Sequence, residues 1–85
     1  MNLQEKFNKY TELVKIVPNK PKDEDLLALY GLYKIATVGK CATKKPKGVF
    51  NHKEQCKWDA WNARNELTAE QAMDLYIKQV DILMN

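Results

Sequence analysis

Hydrophobic residues recur every three or four positions in four segments of the chain, which is the spacing of an amphipathic helix. No segment alternates between apolar and polar residues with period two, as a half-buried strand would. The pattern therefore predicts an all-α fold, a small bundle of four helices. The predicted helices cover about residues 3–17, 23–38, 52–65 and 68–84.

Residues at the ends of these segments support the predicted boundaries. Thr68 is followed three positions later by Gln71, which matches a capping box at the start of the fourth helix. Asn51 and Glu54 have the same spacing before the third helix, so we expect a similar cap there. Gly39 suits the position just after the second helix, where a left-handed residue is common.

The second helix is unusual because its apolar residues surround nearly the whole helix. At about 100° per residue, one side carries Leu29, Leu32 and Ala36. Another side carries Leu26, Leu27, Tyr30 and Tyr33, with Lys34 beside them. Three short partner helices can cover one side well. Any part of the other side left uncovered would form an apolar groove edged by hydroxyls and a lysine, which is typical of a binding site.

The distribution of charge adds an anion to this picture. The chain has 85 residues and a net charge of +3, with 14 basic against 11 acidic residues. Residues 40–57 hold six lysines and only one acidic residue, Glu54, so this stretch carries +5. A local positive field attracts anions, lysines contact phosphates and tyrosine rings pack on aromatic faces. A nucleotide esterified to a fatty chain suits such a surface.

Several other functions are not expected from this sequence. We find neither G-x-S-x-G nor a glycine-rich phosphate loop, and we expect no catalytic cysteine–histidine pair, so we predict no enzyme and no catalytic residue. Cys41 and Cys56 lack C-x-x-C spacing and His52 is the single histidine, so we predict free thiols and no metal site. With Arg64 as the one arginine and no polar groove-reading helix face, we predict no nucleic-acid partner.

The length suits a single domain, residues 1–85, and several further expectations concern where it works. The first residues lack the apolar core of a secretory signal, and no apolar run approaches the roughly 20 residues of a membrane span. We therefore predict a cytoplasmic protein without stable membrane insertion. Nothing in the sequence indicates a dimer, so we expect a monomer.

Three blocks of the chain resemble the acyl-CoA-binding protein family. They are residues 20–39 (KPKDEDLLALYGLYKIATVG), 57–61 (KWDAW) and 72–77 (AMDLYI), in order and with nearly the family spacing. The resemblance implies a four-helix, up-down-down-up bundle that binds medium- to long-chain acyl-CoA esters without chemistry or a cofactor. It also implies a carrier and buffer that contacts enzymes or membranes only transiently.

The resemblance further implies which residues hold the ligand. Those matching positions that grip the adenine and the 3′-phosphate are Tyr30, Tyr33, Lys34, Lys57 and Tyr76. Lys15 matches a lysine facing the nucleotide and Phe7 a residue beside the groove, while Leu26 and Leu27 match positions along the acyl chain. Gly31 and Leu32, within the first block, complete the predicted acyl-CoA-binding set.

Two departures and one alternative accompany this interpretation. Thr11 replaces a small apolar residue near the head group, and the loop between the second and third helices is one residue longer around Lys47. The alternative function is a small helical protein-interaction module that uses the apolar face of the second helix.

Overall fold

Four α-helices make up most of the chain in the computed structural model, which describes residues 1–48 and 51–85. The last two residues of the predicted loop, 49 and 50, lie outside this description. Within it there is no strand, and no helix is long and apolar enough to cross a membrane. The helices are α1 (Leu3–Leu13), α2 (Asp23–Thr37), α3 (His52–Asn62) and α4 (Ala69–Met84).

Helices α2 and α3 run in the same direction. The Lys57 Nζ atom of α3 lies 5.5 Å from the centroid of the Tyr30 ring of α2. Four residues further along each helix, the Lys34 Nζ atom lies 4.7 Å from the Trp61 ring. Since residue numbers rise together on both sides of this contact, the two helices are parallel.

Helix α4 is parallel to α1 and antiparallel to α2. The rings of Phe7 and Tyr76 are 5.1 Å apart, and nearer the end of both helices the Tyr10 hydroxyl donates to Asp81 at 2.9 Å. On α2 the order is reversed. Tyr33 lies near Tyr76, whereas the earlier residue Asp25 accepts a hydrogen bond from the later residue Gln79. These directions confirm the predicted up-down-down-up bundle.

Two of the helix ends marked in the sequence are confirmed. Thr68 and Gln71 form the predicted capping box, with hydrogen bonds of 3.1 Å and 2.9 Å between the side chain of each and the backbone N–H of the other. Gly39 follows the end of α2 with φ of +105°, and its N–H donates to the Lys34 carbonyl. Helix α1 ends earlier than predicted, because Val14–Ile16 form a turn of 3₁₀ helix.

The predicted capping box at Asn51 is wrong. Asn51 has φ of −107° and ψ of 24°, not the extended conformation usual for an N-cap residue. Its side-chain amide donates to the Lys47 carbonyl within the loop, and its side chain makes no capping bond. Glu54 pairs instead with Lys57, at 3.6 Å. The loop geometry thus overrides the local capping signal.

One hydrophobic core joins the four helices. Trp61 is 8% exposed and contributes α3 to this core. Trp58 is only half-buried, and its indole N–H donates to the Thr43 carbonyl at 2.9 Å. The buried core residues are Phe7, Leu29, Leu32, Ile35, Trp61, Ala72, Met73, Tyr76, Ile77 and Val80.

Candidate functional site

Helix α2 has one buried face and one open face. Leu29 and Leu32 are 5% and 7% exposed, whereas Leu26 and Tyr33 are 41% and 42% exposed. Leu27, Tyr30 and Lys34, which share the side of Leu26 and Tyr33, are half-buried. The partner helices therefore leave part of the second apolar side uncovered, the condition under which the sequence predicts a binding groove. We define the open face as Leu26, Leu27, Tyr30, Tyr33 and Lys34.

Gly31 allows α3 to lie unusually close to α2 beside this open face. A Cβ atom at Gly31 would stand 2.4 Å from the carbonyl oxygen of Ala60, which is closer than two such atoms can approach. Glycine is therefore required by the helix contact itself. This close contact brings Lys57 of α3 alongside Tyr30 of α2, so that two helices contribute to one surface.

An aromatic cluster forms one side of the open face. The Tyr33 ring is stacked at 6.1 Å on Phe7, and the Tyr76 ring meets Phe7 edge-on. Phe7 is 1% exposed, so the partly exposed Tyr33 ring packs on a buried phenylalanine. Burial, and secondly the charge of an ionised Tyr33, raise the pKa of Tyr76 above its ordinary value. Tyr76 therefore remains a neutral hydroxyl donor at neutral pH.

Two ammonium groups lie between α2 and α3. Lys34 projects from α2 over the Trp61 ring, and Lys57 projects from α3 over Tyr30 itself. Both lysines are half-buried, which limits the number of conformations that their side chains can adopt. A phosphate at this position could accept hydrogen bonds from both ammonium groups. The arrangement therefore suits an anion held between α2 and α3.

The loop between α2 and α3 is held against α3 by hydrogen bonds and an ion pair, beside these ammonium groups. The indole N–H of Trp61 donates to the Gly39 carbonyl at 2.7 Å, and the Gln55 amide donates to Pro46 at 2.8 Å. Lys45 forms an ion pair with Asp59 at 3.0 Å. A small cavity of about 140 Å³ lies between loop and helices, lined by Tyr30, Thr43, Lys44, Pro46, Glu54, Lys57, Trp58 and Trp61.

The structure groups most of the predicted site residues but not all of them. Gly31 is buried against α3 and Leu32 lies in the core, so neither belongs to the open face. Lys15, beyond the end of α1, is paired with Glu12 at 3.0 Å. Ligand contact by each predicted residue remains a prediction. The residues brought together are Phe7, Leu26, Leu27, Tyr30, Tyr33, Lys34, Lys57 and Tyr76.

A larger groove lies on another side of α2. Its volume is about 460 Å³, and α2 contributes Ala28 and Leu32 to it. At about 100° per residue, those positions point away from Tyr30 and Lys34. Arg64 is the one basic residue in its lining, and its guanidinium donates to the Ala60 carbonyl at 2.6 Å. By volume alone, this groove would be the better candidate for a ligand site. The lysines and tyrosines predicted to bind the ligand lie instead at and beside the open face.

Comparison with known proteins identifies the family. The family model described as acyl CoA binding protein matches residues 4–80. The chain belongs to the acyl-CoA-binding protein family. An acyl-CoA-binding protein of Gossypium hirsutum is 49% identical over 80 residues, covering 94% of this chain and 89% of the relative. An acyl-CoA-binding protein of Brassica napus is 48% identical over 84 residues, covering 99% and 90%.

Solved structures of family members have the same fold. The crystal structure of Oryza sativa acyl-CoA-binding protein 2 matches with a TM-score of 0.90 and 48% identity, covering 96% of this chain and 88% of that one. The solution structure of the acyl CoA binding protein from Babesia bovis gives 0.80 and 33%, covering 98% and 93%. The all-α fold implied by the family resemblance is therefore confirmed.

Sequence reasoning missed two features near the site. The sequence analysis expects no catalytic cysteine–histidine pair, and it did not foresee that the Cys56 Sγ atom lies 3.6 Å from His52 Nε2. The signal was available, because residues four positions apart lie on the same side of a helix. Lys44 and Trp58 also line the small cavity. The positive charge of residues 40–57 indicated such a lysine but not which one.

Proposed function

We propose that this chain binds medium- to long-chain acyl-CoA esters at the open face of α2. The observation that carries the proposal is the order of residues along this face. Leu26 and Leu27 lie toward the start of the helix, and Tyr30, Tyr33 and Lys34 follow. An amphiphile with an apolar tail and an anionic, aromatic head matches that order. Membership of the acyl-CoA-binding protein family supports the same ligand.

The tail supplies a large favourable term. Removing about fourteen methylenes from water yields roughly 11 kcal/mol at about 0.8 kcal/mol each. Loss of translational and conformational freedom on binding offsets a large part of this gain. The apolar strip at Leu26 and Leu27 must therefore act together with a second set of contacts.

The head group supplies that second set. Each charge-assisted contact between an ammonium and a phosphate contributes on the order of 1.5–3 kcal/mol. In the proposal Lys34 and Lys57 contact the 3′-phosphate, and Tyr30, Tyr33 and Tyr76 surround the adenine. Lys15 approaches the nucleotide from α1, and Phe7 supports the rings from below. Neither tail nor head alone gives tight binding.

Titration calorimetry with palmitoyl-CoA, CoA and palmitate tests the proposal. We expect submicromolar affinity for the ester, weaker binding of CoA and negligible binding of palmitate. Palmitate bound as tightly as its CoA ester would contradict the head-group assignment. A parallel melting experiment should show a higher Tm with palmitoyl-CoA, because a ligand that binds only the native state stabilises it. An unchanged Tm would contradict ligand binding. The alternative function, a protein-interaction module, is not favoured by the comparisons with known proteins.

The proposed role is that of a carrier and buffer rather than an enzyme. Residues 1–85 would act as one monomeric domain that keeps the ester in solution and delivers it through transient contacts with enzymes or membranes. Two unpaired cysteines, Cys41 and Cys56, suit the reducing cytoplasm that we propose as its location. We expect bound palmitoyl-CoA to remain unhydrolysed over hours, and release of free palmitate with turnover would contradict this role.

A further inference from the structure

Cys56 and His52 form a pair that the proposed carrier role does not use. Cys56 is half-buried on α3, directly before Lys57 in the sequence. Its Sγ atom lies 3.6 Å from Nε2 of His52, one turn earlier on the same helix. A thiol beside an imidazole has a base that can accept its proton when the sulfur attacks an electrophile. The pair therefore has the elements of a nucleophilic site.

The packing of α2 on α3 places this pair beside the proposed ligand. Gly31 lies against Ala60 where the two parallel helices are closest. One turn earlier on each helix are Leu27 and Cys56, which therefore face the same seam between α2 and α3. Leu27 belongs to the stretch proposed to hold the acyl tail. The next residue of α3, Lys57, belongs to the group proposed to hold the phosphates.

The thioester of an acyl-CoA joins its tail to its head. Cys56 faces Leu27 across the seam, so a thioester that lies at the level of Leu27, at the head-group end of the acyl tail, is within reach of the Cys56 sulfur. This placement rests on the proposed function. The thioester carbonyl is also the most electrophilic carbon of the ester. An acyl tail bound with its first carbon at Leu27 would therefore present that carbon to the Cys56–His52 pair.

We propose that Cys56 accepts the acyl group of bound acyl-CoA by thiol–thioester exchange. His52 takes the proton of the Cys56 thiol as the sulfur attacks the thioester carbonyl carbon. The new S–C bond forms, the bond from that carbon to the CoA sulfur breaks, and the CoA sulfur leaves with the electron pair. The CoA sulfur then receives the proton from His52. The products are S-acylated Cys56 and CoA with a free thiol.

The exchange needs no additional reactant. One thioester is consumed and one is formed, so the reaction is close to balanced in free energy and reversible. Binding converts the attack into an intramolecular step, which increases the effective concentration of the thiol. Excess CoA should therefore remove the acyl group and regenerate acyl-CoA. The site would hold one acyl group covalently when free CoA is scarce.

Intact-protein mass spectrometry of the full chain incubated with palmitoyl-CoA tests the proposal. We expect one added palmitoyl group that neutral hydroxylamine or excess CoA removes. Cys41→Ala is the matched control and should be acylated like the wild type, whereas Cys56→Ala and Cys56→Ser should not. His52→Gln should slow acylation by about 100-fold or more, because it lacks the general base. A thioether analogue of palmitoyl-CoA should bind and leave the mass unchanged.

Calorimetry on the same variants separates failure of this inference from failure of the proposed function. Cys56→Ala should still bind palmitoyl-CoA, with circular dichroism showing an unchanged helical content. Normal binding with no adduct on the wild type, or with equal acylation of Cys41, would overturn the exchange and leave the carrier role intact. Absence of palmitoyl-CoA binding by the wild type would overturn both.

Discussion

The two faces of α2 have similar apolar composition but differ in how much of each is buried. Leu29 and Leu26 are the same residue type, less than one turn apart, yet they are 5% and 41% exposed. The first face packs on the core formed with α1, α3 and α4, and the second has lysines and tyrosines around it instead of a helix. Apolar residues that the four helices leave partly exposed are thus adjacent to residues suited to an anion.

This difference shows how a chain of 85 residues can combine stability with a ligand site. A small domain buries a limited part of its surface, so every uncovered leucine lowers its stability relative to a fully packed alternative. Leaving Leu26 and Leu27 uncovered therefore has a cost. A ligand that covers them gains the hydrophobic free energy that folding did not use.

The largest effect should come from truncating matched leucines on the two faces. Leu29→Ala should lower the free energy of unfolding by about 2–5 kcal/mol, because it removes buried methyl groups and leaves a cavity. Leu26→Ala should change stability by less than about 1 kcal/mol and instead weaken palmitoyl-CoA binding. Urea unfolding and calorimetry on both variants measure the two effects. Equal loss of stability in both would contradict the assignment of the open face.

Gly31 tests the contact that brings α3 to this face. Gly31→Ala should destabilise the fold by about 1–3 kcal/mol, because the added methyl group collides with the Ala60 backbone and forces the helices apart. Palmitoyl-CoA binding should weaken as well, since Lys57 moves away from Tyr30. Gly39 is unsuitable as a control because its positive φ makes substitution costly for another reason. Ala28→Gly, at a half-buried position of the same helix, should cost about 1 kcal/mol or less and leave binding unchanged.

The lysines should affect binding more than folding. Lys34→Ala and Lys57→Ala should each weaken palmitoyl-CoA binding about tenfold or more, from the loss of one phosphate contact. Stability should fall by no more than about 1 kcal/mol, the size of a cation–π contact at a partly exposed site. Lys78→Ala is the matched control, as Lys78 is exposed on α4 and paired with Asp74. Normal palmitoyl-CoA affinity of both Lys34→Ala and Lys57→Ala would show that neither lysine contacts a phosphate.

The smallest effect concerns the pH dependence of stability. Because the folded protein raises the pKa of Tyr76 above its ordinary value of 10.0, it holds the phenolic proton more tightly than the unfolded chain. This contribution to stability is present below pH 10 and is lost as the pH rises through the folded pKa. Tyr76→Phe should therefore lose less stability than the wild type above pH 10. If the Tm of Tyr76→Phe and of the wild type fell equally as the pH rises above 10, Tyr76 would not be the group responsible.

The fold was predictable because its signals are local and repeated. Four amphipathic patterns gave four helices, and the Thr68–Gln71 spacing gave a cap that involves only neighbouring residues. The cap at Asn51 was not predictable, because the Asn51 side chain bonds instead to a loop carbonyl whose position depends on the rest of the fold.

The site was predictable in composition but not in detail. The sequence indicated which residues would form a groove if one side of α2 were left uncovered, and in the structure Leu26 and Tyr33 on that side are partly exposed. The helical periodicity placed Leu32 on the other side of α2, and only the family resemblance added it to the predicted ligand set. The structure places Leu32 in the core. Trp58 lies half-buried at the small cavity because the loop returns to α3 there, which depends on contacts distant in the sequence.

Methyl and aromatic NMR spectra recorded during titration with palmitoyl-CoA test the account most directly. The open face and the larger groove contain different leucines, so the leucine methyl signals report separately on each. We expect large shifts for Leu26, Leu27, Tyr30 and Tyr33, with little change for Leu67 and Leu75. Shifts confined to Leu67 and Leu75 would place the ligand in the larger groove and contradict the assignment of the open face.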